Sequence, residues 1–356
     1  MKKNVEDQPS KIRPGEELNL KALQTYLQET VSELSGTLAA TQFPGGYSNL
    51  TYLLKMGNRE MVLRRPPFGA NIKSGHDMGR EYRILTALSR RYSKVPKTFT
   101  YTEDKTIIGA PFYIMERVRG VILRPKMKVA AQPDPTLMRG IAEGLVDTFV
   151  ELHQVNYKAV GLEDLGRPMG YVERQISGWT KRYLKAKTDA FPSIEKVAKW
   201  LQDHQPKSNH TALIHNDFKY DNLVLDPQNW RKVLAVLDWE MSTIGDPLMD
   251  LGTTLGYWVN PDDPDWLKEL ALSPTTLPGN PTRTEIVQWY AEKSGKNIDN
   301  VVFYYVYGLF KIAVIAQQIY ARYKKGLTKD PRFSKLGQVV NGLGKWALNA
   351  IDKNAI

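Results

Sequence analysis

His215-Asn216-Asp217-Phe218-Lys219-Tyr220-Asp221-Asn222 is followed by Leu237-Asp238-Trp239, with Asp238 sixteen residues beyond Asn222. Moving a phosphoryl group from a nucleotide to a hydroxyl requires a carboxylate to orient the hydroxyl and oxygen ligands to hold a divalent cation on the phosphates. The stretch supplies all three, with Asp217 as proton acceptor and Asn222 and Asp238 as metal ligands. Lys219, two residues past the acceptor, is placed to neutralise charge on the moving group. Asp and Asn also cap helices and tie turns together. An Asp-Trp pair closing an apolar run at this distance asks for more than capping. His215 reads as a brace for the loop, because Asp217 already fills the role of base.

Outward from this stretch, a chain of 356 residues is long enough for two domains or one large bilobal unit. Hydrophobic residues at 42% and charged residues at 24% are ordinary for a globular protein. The absence of cysteine excludes disulfides, thiolate catalysis and cysteine-ligated zinc or iron–sulfur sites. A net charge of +11 points to polyanionic partners. Small molecules bearing phosphate satisfy it without a dedicated patch, and no helix-turn-helix, zinc-finger or RNA-binding signature supports specific nucleic-acid recognition. The opening Met1-Lys2-Lys3 leads into acidic residues and proline where a signal peptide needs an apolar core, so the expected location is cytoplasmic. The most apolar late run, residues 301–316, is split by Lys311 and reads as too short to cross a bilayer of about 30 Å.

The first sixteen residues, with Pro9 and Pro14, predict a loose arm. Residues 18–34 place Leu20, Leu23, Leu27, Val31 and Leu34 on one helical face. Phe43-Pro44-Gly45-Gly46-Tyr47-Ser48-Asn49 reads as a strand, a glycine turn and a second strand over residues 50–56. Residues 59–64 predict another strand, ended by Pro66-Pro67. Asp77 caps a helix whose apolar face is Met78, Tyr82, Leu85 and Leu88, with Glu81 just beside it. Extended runs at 97–102 and 111–118 complete a β-rich unit. From Pro135 helical spacing dominates, with later helices at 171–187, 193–202, 284–294 and 301–323. Two short apolar runs, 212–214 and 233–237, read as a β insert among the helices.

These motifs resemble the aminoglycoside phosphotransferase and choline kinase family, which has the protein-kinase-like fold, and within it the phosphotransferase domain found fused to acyl-CoA dehydrogenases and in free-standing bacterial homologues. The resemblance is carried by the glycine turn with Asn49, Val62-Leu63-Arg64, Arg80-Glu81, the catalytic segment, residues 237–247, Tyr171 to Gln175 with Trp179, and Phe310-Lys311-Ile312-Ala313. It implies an α+β, bilobal architecture with a small β-rich N-lobe and a larger, mainly helical C-lobe. The division expected is an arm at 1–16, a nucleotide-binding lobe at 17–118 ending in a hinge, and a catalytic and acceptor-binding lobe at 119–356. Gly45, Gly46 and the Ser48 hydroxyl would then meet the triphosphate. Arg64 stands where the wider family usually has Lys, and its geometry toward Glu81 is expected to differ from a Lys–Glu pair. Strand alternation sets Arg65 on the opposite face. At the hinge the Glu116 carbonyl and the Val118 N–H would meet the base, which leaves ATP and GTP both open. Mg²⁺ is the implied cation. Asp246, Asp250 and His153 read as scaffold.

The acceptor has less to go on. Residues 167–187 carry six basic side chains against Glu173, and residues 311–335 carry seven against Asp330, both interleaved with aromatics. Aminoglycosides are polycations and their kinases line the acceptor site with acid. The opposite balance here predicts a small, hydroxylated, anionic acceptor such as a hydroxyacyl-CoA, with Arg174, Trp179, Arg182 and Arg322 as its contacts. The alternatives are phosphorylation of an antibiotic and a weakly catalytic, nucleotide-binding pseudokinase. The sequence does not give the oligomeric state.

Overall fold

The computed structural model describes residues 8–32, 34–44, 49–67, 77–125, 127, 129–207, 210–270, 272–328 and 330–356. Its elements run α1 (Leu20–Thr30), β1 (Leu38–Gln42), β2 (Leu50–Met56), β3 (Arg59–Arg65), α2 (Met78–Leu88), β4 (Thr98–Thr102), α3 (Lys105–Ile108), β5 (Phe112–Glu116), α4 (Pro135–His153), α5 (Tyr171–Ala186) and α6 (Pro192–Asp203). There follow β6 (Ala212–Ile214), β7 (Leu223–Leu225), β8 (Val233–Val236), β9 (Thr243–Gly245), α7 (Pro247–Tyr257), α8 (Asp265–Leu270), α9 (Arg283–Ser294), α10 (Val301–Lys324) and α11 (Leu336–Lys353). Two units result: residues 1–123, 158–162 and 221–241 form the first, and the rest of the chain the second.

The first unit is built on an antiparallel sheet of order β1-β2-β3-β5-β4. Period-two alternation sends Tyr52, Leu54 and Met56 of β2 and Met61 and Leu63 of β3 to one face, where they join Leu23 and Leu27 of α1. Asp77 caps α2, its carboxylate accepting from Arg80 N at 2.9 Å. The buried face of α2 differs from the expected one: Glu81 and Ile84 lie inside it, and Tyr82 is half-buried against Tyr101. A carboxylate can occupy that face because an arginine meets it there, as described below.

Residues 8–16 are not a loose arm. Ser10 pairs with Gln42 through two main-chain hydrogen bonds of 2.8 and 2.9 Å, the Gln42 side chain accepts from Arg13 N, and Tyr52 donates to the Glu16 carbonyl. The two apolar runs expected to form one β insert do not pair with each other. β8 pairs with β7 in the first unit, and β6 pairs with β9 in the second. The grouping of residues 221–241 with the first unit also departs from a single division at 118. There β7 bridges Val121, and Val236 N donates to the Lys94 carbonyl.

The second unit is helical. α10 is buried over most of its 24 residues and packs against α5, α6, α7 and α11. By length and composition α10 is apolar enough to cross a membrane, which corrects the reading of its apolar run as too short. Its apolar faces are covered by those four helices. α7 and α10 cross at Gly252 and Gly308: a Cβ on Gly308 would lie 2.0 Å from the Gly252 carbonyl oxygen, so only glycine permits this approach.

Candidate active site

In the first unit Arg64 and Glu81 are drawn together by strand and helix phase. Arg64 points to the sheet face covered by α2, and Arg65 to the other, where it donates to the Ile108 carbonyl at 2.7 Å. Both arginines are buried, so neither is a solvated strand end. The Arg64 fork divides its contacts, one Nη donating to Glu81 Oε1 at 2.7 Å and the other to Asp238 Oδ1 at 2.8 Å. An ammonium would have to present its donors to both from a single nitrogen. Burial pushes the Glu81 carboxyl up from its usual range, with the Arg64 charge pulling it partly back. Burial also works against the Arg64 charge, but Glu81, Tyr113 and Asp238 outweigh it and hold the guanidinium protonated.

Asp238 adopts φ +69°, a left-handed conformation that non-glycine residues seldom take. It is fixed from both sides. Leu237 N donates to the Asn222 carbonyl at 2.8 Å, Trp239 N to Glu81 at 3.2 Å, and the Trp239 indole to the Val236 carbonyl at 2.8 Å. Asn222 is thereby tied to the Asp238 segment. Glu240 accepts from the Asn49 side chain at 2.6 Å, which anchors the end of the glycine turn to the same segment. Gly45, Gly46 and Ser48 lie outside the described residues. Glu116 ends β5, and Val118 follows it beyond the ladder.

In the second unit β6 delivers His215 and Asn216 to Asp250 on α7, whose two oxygens accept from His215 N at 2.6 Å and Asn216 N at 2.7 Å. Burial alone would raise the Asp250 carboxyl, yet the His153 ring and the His215 N–H hold it below the usual range. His153 Nε2 is 3.2 Å from Asp250 and its Nδ1 is 2.7 Å from the Tyr290 hydroxyl. The network assigns Nε2 the proton, so His153 braces Asp250. His215 Nδ1 accepts from Asp217 N at 3.3 Å, the bracing role expected of it. Lys219 Nζ donates to Asp217 Oδ2 at 2.6 Å and lies 4.7 Å from the Tyr257 ring.

Of the expected acceptor residues, Arg182 stacks on the buried Trp179 ring at 4.6 Å, whereas Arg174 folds back onto the carbonyls of Arg167 and Met169 at the start of its own helix. Arg322 is exposed on the last turn of α10. Sequence reasoning noted Lys311 as the break in an apolar run and as part of the family motif, and gave it no role at the site. Counted there as one basic residue in a window, it is buried beside Trp179, with Nζ 2.7 Å from the Asn216 carbonyl. Its signal was position, since it interrupts an apolar helical run where every neighbour is core.

Residues 39–283 match the model of the phosphotransferase enzyme family. The chain belongs to that family. It is 34% identical over 346 residues to human acyl-CoA dehydrogenase family member 11, covering 95% of this chain and 44% of that protein. The chain thus spans under half the length of the curated relatives it matches. A Ralstonia eutropha crystal structure, provisionally described as an aminoglycoside phosphotransferase, superposes with a TM-score of 0.80 at 29% identity, covering 95% of this chain and 99% of that one. A spectinomycin phosphotransferase solved with ADP and spectinomycin shares the fold with a TM-score of 0.61 at 11% identity, covering 94% and 99%. The small antiparallel-sheet unit and the helical unit are those of this kinase-like family, as the motifs implied.

The donor set suits Mg²⁺. Among the described residues no cluster of three or more His, Cys, Asp or Glu could cage a cation. Asp238, whose side chain is one-third exposed, and Asn222 offer oxygen only. Magnesium takes one or two protein oxygens and completes its shell with phosphate and water, so two ligands fit it where they would not fit a protein-caged metal.

Proposed function

We propose that the protein transfers the γ-phosphoryl group of ATP to a hydroxyl of a small anionic metabolite, a hydroxyacyl-CoA being the leading candidate. One observation carries the reading: Asp217 is presented on a loop pinned through its backbone by Asp250, with Lys219 hydrogen-bonded to its carboxylate at 2.6 Å. The acceptor hydroxyl would give its proton to Asp217 as its oxygen bonds to the γ-phosphorus. The bond to the bridging oxygen breaks and ADP leaves. Lys219, hydrogen-bonded to the Asp217 carboxylate, offers charge to the moving group. Asn222 and Asp238 would hold Mg²⁺, which offsets phosphate charge when bound. The Arg64 arm on Asp238 would exchange carboxylate for phosphate oxygen, while the other arm keeps the buried Glu81. Gly45, Gly46 and Ser48 would take the phosphates, and Glu116 and Val118 the base.

The anionic acceptor is supported by Arg182 stacked on Trp179, and by relatives named as acyl-CoA dehydrogenase family members. Arg174, held by two carbonyls, would have to release them to take part. The test is a screen of hydroxylated metabolites, CoA thioesters and aminoglycosides included, for Mg·ATP-dependent phosphate transfer. Asp217→Asn should lower kcat by about 10²–10⁴-fold and spare nucleotide affinity. A variant with wild-type turnover, or preferred phosphorylation of a polycationic antibiotic, would sink the corresponding half of the proposal.

A further inference from the structure

Lys311 is 1% exposed, in the middle of α10, among Phe310, Ile312, Ala313 and Val314. Packing alone would be met by another hydrophobe there, and an ammonium is expensive to bury unless something answers its charge. What answers it is the catalytic loop. Nζ donates to the main-chain carbonyl of Asn216 at 2.7 Å and lies 3.4 Å from that residue's Oδ1. Asn216 has φ +67°, and its N–H is held from the other side by Asp250 at 2.7 Å. A buried cation and a buried anion therefore grip the two peptide groups of one left-handed residue, and the next residue is Asp217.

We propose that Lys311 is a positioning residue, fixing the Asn216 turn in the conformation that presents Asp217. The inference rests on the reading of Asp217 as the base. Asp250 alone restrains the peptide N–H. The carbonyl belongs to the peptide whose N–H, that of Asp217, donates to His215 Nδ1 at 3.3 Å, so losing Lys311 removes the shorter of these two holds, loosens that peptide plane and carries the Asp217 side chain with it. A misplacement of about 1 Å at the reacting group costs of the order of 10²-fold in rate. The charges near the ammonium bear out its cost. Asp250 and Asp217 favour it, Lys219 and Arg182 oppose it, and burial pulls its pKa down to about 8. A group kept at that expense, on the carbonyl before the base, points to geometry that the reaction needs.

The chain has no cysteine, which permits a chemical rescue. Lys311→Cys carries a single thiol, and alkylation with 2-bromoethylamine in denaturant, then refolding, restores a side chain of lysine's length and charge. Refolded wild type, Lys311→Met and unalkylated Lys311→Cys serve as controls, with circular dichroism and melting curves to establish folding. Two quantities are read: amide hydrogen exchange at Asn216 and Asp217, which needs no substrate, and the kinetics of Mg·ATP-dependent transfer. Lys311→Met should speed exchange at both amides by about tenfold or more. It should lower kcat by about 10²-fold with the KM for ATP within about twofold, and aminoethylation should reverse both effects. Unchanged exchange overturns the proposal. So does fast exchange with kcat intact, or a folded aminoethylated protein that recovers neither. If wild type phosphorylates no acceptor, the functional reading fails, while exchange and its rescue still decide whether Lys311 orders the turn.

Discussion

Arg64 joins two carboxylates that belong to different segments, Glu81 on α2 and Asp238 beyond β8, and this defines what its replacement would do. Arg64→Ala leaves Glu81, 1% exposed, with the Trp239 N–H as a remaining partner, and should cost about 3–5 kcal/mol, read as a fall in Tm and in denaturant midpoint. Arg64→Lys keeps the charge and loses one arm. It should fold, and weaken nucleotide binding several-fold in calorimetry. An unaltered affinity would mean that the second arm has no part in binding. At Asp250 the expected effect is on pH. Its carboxyl sits below its ordinary pKa of 3.8, so the stability it contributes is complete above that value and disappears as the pH drops through the lower folded one. Asp250→Asn should therefore flatten the acid limb of a stability–pH curve below about pH 4. It also turns one of the two acceptors of the His215 and Asn216 amides into a donor.

Among the elements, the α7–α10 crossing is the most exacting. Gly308→Ala sets a methyl against the Gly252 carbonyl, so the helices must separate, and Asp250 is only two residues from that point. A loss of about 1–3 kcal/mol is expected, together with faster exchange in residues 215–217. Exchange unchanged there would show that α7 moves without its carboxylate. Long elements were legible in the sequence because helical spacing repeats several times within them: α5, α6, α9 and α10 begin and end within two residues of expectation. Strands of three residues hold no such repeat. β7 and β9 escaped notice, and β6 and β8 were joined to each other when each has a different partner. In the candidate site, side chains at fixed motif spacing could be named as candidates from the sequence. Lys311 could not, because its meaning lies in a main-chain carbonyl almost a hundred residues away. Glu81 was set beside the apolar face for a related reason, since a polar residue joins a core only when a partner meets it, and the partner is on another element.

For the whole molecule the net charge of +11 makes a simple prediction. If the acceptor is anionic, its KM should climb several-fold between about 0.05 and 0.3 M salt, while a neutral hydroxylated acceptor tested in parallel should change little. Equal salt responses would assign the basic faces to solvation. Another consequence belongs to the first unit alone. Ser10 occupies the outer rim of β1 through its two main-chain bonds to Gln42, and Gln42 is held in turn by Arg13. Strip that clasp away and the Gln42 amide and carbonyl at the end of β1 are bared to any passing strand, another copy of this chain included. A version trimmed before Glu17 should drift into soluble aggregates, visible by light scattering, where the intact chain does not. The nine residues at 8–16 would then act as a guard against polymerisation, written into a stretch whose prolines suggested idle tail.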